Sequence, residues 1–326
     1  MSRRHAPKFS SRAQGMTLVE LMIAITLGLL VMGAAIGIFI SNRQVYRAAE
    51  NINRVQEGGR VAFELMARDI REAAGNPCVN NLPLVNVVSG GTGNWWSDMN
   101  WSTGLWGFDG GTAFPGDSFG TGTAQRLAGT EAVQLLSADD NVATISGHDT
   151  GAALFTVNTT GHGFSTGDLA IACNARQASV FQVSSVSGAN IGHGTGGSPG
   201  NNTTSLNLDP TSPYQYSTPN SVLAGLHATR WFIANNPNGV PSLYQTRLGG
   251  AGVTAEEVVE GVSGMTLEYL LRGANNYVSA GAVGNWADVV SVRAILTLQS
   301  PDRVGTDGNP ITRQVIQVAS IRNRNP

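Results

Sequence analysis

The alternation of hydrophobic and polar positions changes character along the chain. Residues 17–40 are almost unbroken apolar, with Glu20 as the single charge. At about 1.5 Å per residue such a helix spans roughly 36 Å, enough to cross a hydrocarbon core of about 30 Å. Beyond it Ile52, Val55, Ala62, Phe63, Met66, Ile70 and Ala73 recur at three- and four-residue steps and predict one apolar stripe. Arg54, Glu57, Arg60, Glu64, Arg68, Asp69, Arg71 and Glu72 occupy much of the remainder, with Arg60–Glu64 and Arg68–Glu72 at i,i+4 spacing. Gly75-Asn76-Pro77 supplies a stop, because glycine takes a left-handed cap and proline cannot continue the ladder. The expectation is one helix of about 59 residues, roughly 88 Å long. Residues 16–40 form its membrane half and residues 41–76 its amphipathic continuation, which packs on a head. Gly58-Gly59 either bends this helix or lets a strand approach it closely.

From residue 77 the period changes to that of strands. Strands are predicted at 131–136, 153–157, 168–172 and 178–186, and again at 256–262, 265–271 and 311–321. Residues 229–234 and 242–248 read as a hairpin around Asn235-Asn236-Pro237-Asn238-Gly239. Val290, Val292, Ala294, Leu296 and Leu298 alternate with polar residues as a half-buried strand. Residues 188–204 are Gly/Asn/Ser-rich and predict a mobile loop. Residues 89–123 form a Gly-rich loop with Trp95, Trp96, Trp101 and Trp106, read as core anchors with one or two left exposed for a partner. The fold class is α+β: a long N-terminal helix on a mainly antiparallel β head spanning residues 77–326.

Composition excludes several function classes. Net charge is −2 and only 13% of residues are charged, so no basic field points to nucleic acid. Basic residues Arg3, Arg4, Lys8 and Arg12 precede the apolar run and hold that end in the cytoplasm. The run lacks an A-x-A site and exceeds the roughly 7–15 residues of a signal-peptide core, so it stays on the mature chain. The head is then periplasmic, where Cys78 and Cys173 can form a disulfide; the alternative is two buried free thiols.

No set of groups suggests an enzyme or a cofactor. Gly192-His193-Gly194-Thr195-Gly196-Gly197 matches a dinucleotide pattern but has loop chemistry, not a helix, behind it. Gly196-Gly197-Ser198-Pro199-Gly200 matches a nucleophile elbow, yet Pro199 has no N–H for an oxyanion. His148, His162, His193 and His227 lack ligand spacing and read as loop or strand-edge residues. Asp139-Asp140-Asn141 and residues 302–309 read as turns, not calcium loops.

Gly15-Met16-Thr17-Leu18-Val19-Glu20 behind a basic leader resembles the class III signal of type IV prepilins. The resemblance implies cleavage after Gly15 by prepilin peptidase, removing residues 1–15, and methylation of the new Met16 amine. It also implies pairing of Glu20 with a subunit's N-terminal amine during assembly. Met16 departs from the family's usual Phe but stays apolar.

Gly129-Thr130-Glu131-Ala132-Val133, Gly167-Asp168-Leu169 and Val259-Glu260-Gly261-Val262 are similar to stretches of the type IV pilus-assembly protein W (PilW) family. So are Asp288-Val289-Val290-Ser291-Val292-Arg293, Ile311-Thr312-Arg313 and Arg322-Asn323-Arg324. This implies a minor pilin that primes assembly at the fibre tip. Its partners would be other minor pilins, the major pilin, the inner membrane and a tip adhesin. A minor pseudopilin of type II secretion and a glycan-binding adhesin are the alternatives.

Overall fold

The computed structural model describes residues 15–75, 77–78, 82–90, 95–96, 103–209, 212–249, 252–305 and 307–324. The leader up to residue 14 and Trp101 lie outside the described residues. Helix α1 runs Leu18–Glu72, 55 residues. Thr17 caps it: its hydroxyl accepts from Glu20 N at 3.2 Å, and the Glu20 carboxylate accepts from Thr17 N at 3.3 Å. This reciprocal pair satisfies donors that a helix start leaves open.

The first half of α1 stands exposed, and burial begins at Asn51 and continues through Val55, Gly59, Ala62, Phe63, Met66, Ala67, Asp69 and Ile70. Gly58 and Gly59 are a notch for close packing. A Cβ on Gly59 would lie 2.9 Å from Val315 Cγ2, and one on Gly58 3.0 Å from Val259 Cγ1. At the far end the left-handed residue is Ala74, with φ of 59°, not the expected Gly75. Ala74 N donates to Leu136 O at 2.8 Å, and Gly104 lies so close that a Cβ there would be 2.4 Å from Ala74 Cα. Tertiary contacts therefore override local preference at this cap.

The strands are β1 (Leu84–Asn86), β2 (Leu105–Phe108), β3 (Ala132–Asp149), β4 (Leu154–Val157), β5 (Leu169–Cys173), β6 (Ala178–Gln182), β7 (Ser185–Ser187) and β8 (Asn190–Gly192). There follow β9 (Val222–Asn235), β10 (Pro241–Gly249), β11 (Gly252–Glu260), β12 (Val262–Leu271), β13 (Tyr277–Val278), β14 (Val289–Gln299) and β15 (Thr312–Ser320). One sheet runs β1-β6-β5-β9-β3-β4-β8-β7, with β10 and β11 continuing beside β9 and β2 beside β3. The other runs β13-β12-β14-β15. Among the described strands only the β1–β6 pair is parallel. The α+β layout is thus the one the residue pattern implies.

The stripe of α1 packs with Leu105, Leu135, Trp231 and Leu243 and with Leu267, Val292, Leu296 and Leu298 in one core. A second core, around Phe155, Phe181, Ile191 and Tyr216, contains no residue of α1. A third gathers Trp95, Trp96, Ile171, Cys173 and Leu226.

Several local expectations are corrected. Residues 178–186 are two strands: after Gln182 the chain leaves β5, and β7 pairs with β8. The Gly/Asn/Ser stretch 188–204 is built into the head, since it holds β8, a buried Ile191 and a buried Asn201. Asn201 mimics a strand there, accepting from Gln182 N at 2.7 Å and donating to Gln182 O at 2.8 Å. Asp139-Asp140-Asn141 is no turn but a bulge inside β3, where pairing with β9 shifts between Ala138 and Val142. The 89–123 stretch contains strand β2. Asp69 lies in the buried stripe, and Arg60 meets Glu57 at 3.3 Å, not Glu64.

Candidate assembly helix and its anchorage to the head

Three features of α1 make it the candidate site: an open start, an exposed apolar shaft and a polar anchorage to the head. At Gly15 nothing lies within 4 Å of where a side chain would begin. Met16 is 65% exposed, and Leu18, Val19, Met22 and the apolar residues through Ile40 are likewise uncovered. The helix is long and apolar enough to cross a membrane by length and composition. Glu20 bonds back to Thr17 through N–H and hydroxyl, each at 3.3 Å. Its carboxylate is therefore held at the start of the helix. The Thr17-x-x-Glu20 spacing is a capping-box signal readable in the sequence, and the expectation above missed it.

The head grips the other half of α1 at two polar points. Asp69 is 4% exposed; Trp231 Nε1 donates to its Oδ2 at 2.8 Å and Gln245 Nε2 at 2.9 Å, with Arg247 Nη2 at 3.7 Å from Oδ1. Burial raises the Asp69 pKa above the usual range, while the Trp231 bond and Arg247 hold it down. Asn51 Nδ2 donates to Asp302 Oδ2 at 3.2 Å, and Asp302 N donates to Asn51 Oδ1 at 3.2 Å. An Asp within an apolar stripe, seven residues after Ala62, was the available signal for the first point. The exposed pairs Glu50–Arg54 and Arg68–Glu72 contribute little, as surface ion pairs do.

The remaining expected residues fall elsewhere. Cys78 and Cys173 are bonded to one another, with α-carbons 6.1 Å apart, and join the exit of α1 to the end of β5. Trp95 and Trp96 are buried in the third core. Trp106 is 41% exposed and lies 5.4 Å from Trp286, centroid to centroid. These rings form no common surface among the described residues. His162 and His193 lie in loops and His148 near the end of β3, as expected, but all three are buried. His148 Nδ1 accepts from Tyr216 N at 3.1 Å, and its Nε2 lies 3.1 Å from His193 Nε2. With His148 Nδ1 accepting, the proton between the two Nε2 atoms is that of His148, and a neutral His193 carries its own on Nδ1. Burial pushes His148 down to about 4, and burial and then His148 lower His193. Among the described residues no group of three or more His, Cys, Asp or Glu could hold a metal ion.

A family model described as the prokaryotic N-terminal methylation motif matches residues 10–36. Another, described as Type IV Pilus-assembly protein W, matches residues 230–324. No curated protein and no solved structure matches the chain. The second match begins inside β9 and takes in β10 to β15, which include some of the strands that cover α1. The chain therefore carries at its N-terminus a stretch similar to the methylation motif and, at residues 230–324, one similar to the type IV pilus-assembly protein W family.

Proposed function

We propose that this chain is a minor pilin that helps prime fibre assembly and sits at or near the tip of a type IV pilus. The observation that carries the reading is the exposed apolar half of α1, with Glu20 its single carboxylate, attached to a large head. Prepilin peptidase would cut after Gly15, leaving Met16 as the methylated terminus. The apolar half would first hold the chain in the inner membrane, N-terminus cytoplasmic and head periplasmic. It would then bundle with the helices of other minor pilins and the major pilin. In hydrocarbon an ammonium and a carboxylate each cost less when they neutralise one another, so Glu20 would accept a neighbour's Met16-type amine. The capping box supports this: it holds the carboxylate at the helix start, where an amine can replace Thr17 as its partner. A head of some 250 residues suits a tip better than a shaft, where bulk would strain lateral packing. This reading gives the chain an assembly role and no catalytic step.

The test is Glu20→Ala. The variant should enter the membrane at least as well as wild type, because it loses a desolvated charge worth about 2–3 kcal/mol on insertion scales. It should be depleted from sheared fibres. Equal incorporation of both forms would make the carboxylate a bystander. Copurification with secretion components instead of pilus components would assign the chain to a secretion pseudopilus.

A further inference from the structure

Two arginines, Arg126 on the loop before β3 and Arg230 on β9, lie buried beneath an opening of about 440 Å³ in the head. Their guanidinium carbons stand 4.9 and 4.2 Å from the Phe114 ring centroid, and Arg230 also lies 4.1 Å from that of Trp95. Aromatic faces hold the planes and leave the N–H edges to choose partners. Arg126 spends its Nη donors on the carbonyls of Thr112, Asp109 and Thr130, at 2.8, 2.8 and 2.6 Å. Its buried Nε has no hydrogen-bond partner among the described residues.

Arg230 is the more telling of the two. Its Nε donates to Gln134 Oε1 at 2.8 Å, and its Nη1 to Asp117 Oδ2 at 2.8 Å. Its Nη2 is buried and has no partner among the described residues. A guanidinium fork normally closes on a carboxylate through two parallel bonds. Here Asp117 supplies one oxygen to one prong, from a side chain that is 60% exposed. Burial lowers both guanidinium groups to about 10, opposed by Asp117 at Arg230 and by Glu131, Tyr269 and Asp109 at Arg126.

We infer that this opening is a binding site for a carboxylate-bearing sugar, whose carboxylate displaces Asp117 and closes on both Nη atoms of Arg230. The volume falls within the roughly 300–1,000 Å³ of small-molecule sites. It suits one sugar ring and is too small for a length of peptide. Ser118, Gln125 and Thr246 supply neutral hydroxyl and amide groups for ring hydroxyls, and Phe232 supplies an apolar wall. Asp117, Ser118 and Gln125 are exposed and form the mouth, while Arg126, Arg230 and Phe232 are buried and form the floor. The inference does not rest on the assembly role, since binding is read in solution.

The full chain in detergent micelles is titrated calorimetrically with sodium glucuronate, glucose and a short acidic peptide. Glucuronate should bind at least about tenfold more tightly than glucose, the neutral analogue leaving the buried fork unmatched. Asp117→Asn removes the internal competitor and should tighten glucuronate by about tenfold. Arg230→Lys keeps the charge but loses the fork and should weaken it by at least about tenfold. Asp117 lies at the surface, so its variant keeps the test decisive if Arg230→Lys misfolds. Absence of glucuronate binding to both wild type and Asp117→Asn would overturn the inference. So would equal affinity for glucose, or tighter binding of the peptide.

Discussion

Breaking the Cys78–Cys173 bond should loosen the head more than any other single covalent change. The bond closes a loop with a sequence separation of 95, which contains β1 to β4 and most of β5. Chain-entropy arithmetic for such a loop gives about 4.7 kcal/mol at 25 °C, an upper figure because unfolded chains retain some compactness. At about 2–4 °C per kcal/mol for a domain of this size, that is at most about 10–20 °C in melting temperature. Alanine is the right replacement, since Cys173 is fully buried among Ile171, Ala178 and Leu226 and a serine hydroxyl there would add its own penalty. Cys78→Ala and Cys173→Ala should each lower the melting temperature by about 5–15 °C in unreduced calorimetry. The double variant should lose little more, because the constraint vanishes with either thiol. Strict additivity, or a fall below about 2 °C in both single variants, would refute the entropic account.

Other perturbations test other levels of the structure. Gly15→Val should block cleavage and leave the basic leader attached; mass spectrometry of membrane and fibre fractions reads this directly, with N-methylated Met16 expected on wild type. Gly59→Leu should cost about 1–3 kcal/mol of stability by thermal melting, because its Cβ already meets Val315 at 2.9 Å. Gly59→Ala should fall within about 1 kcal/mol of wild type, helix propensity offsetting the crowding. Acid should unfold the head through its histidines. His148 is held down to about 4 by burial against an ordinary 6.5, so between these values the unfolded chain binds more protons and stability falls as pH falls. The slope should approach about 1.4 kcal/mol per pH unit for each of His148 and His193, and His148→Phe should flatten it between pH 6.5 and about 5 in denaturant titrations.

The helix was legible because its two patterns are local: an apolar run and then a stripe at helical steps, each readable without knowing the partner. The strands of the C-terminal part were legible for the same reason, β14 alternating with the clarity of a half-buried sheet. What failed was set by distant contacts. Stretch 188–204 has the composition of a loop, but Asn201 borrows the backbone of Gln182 to become part of the sheet. Nothing near Arg230 announces its burial, since the rings that cover it, Trp95 and Phe114, come from a distant segment. His148 and His193 meet only because β4 pairs with both β3 and β8.

The spacing of the two polar anchorage points has a mechanical consequence. Asn51 and Asp69 are separated by about five helical turns, so they lie on one line along α1, roughly 27 Å apart. A pull along the helix axis loads both points together, in shear, and a slip of one turn, about 5.4 Å, would break both at once. A force that pries the head sideways meets them one after the other, as a peel, beginning at whichever end is lifted. The joint is therefore stiffest in the direction in which a fibre under tension would load it and weakest across it. A helix held in this way can bear axial load and still be peeled from the face of the head by a lateral one.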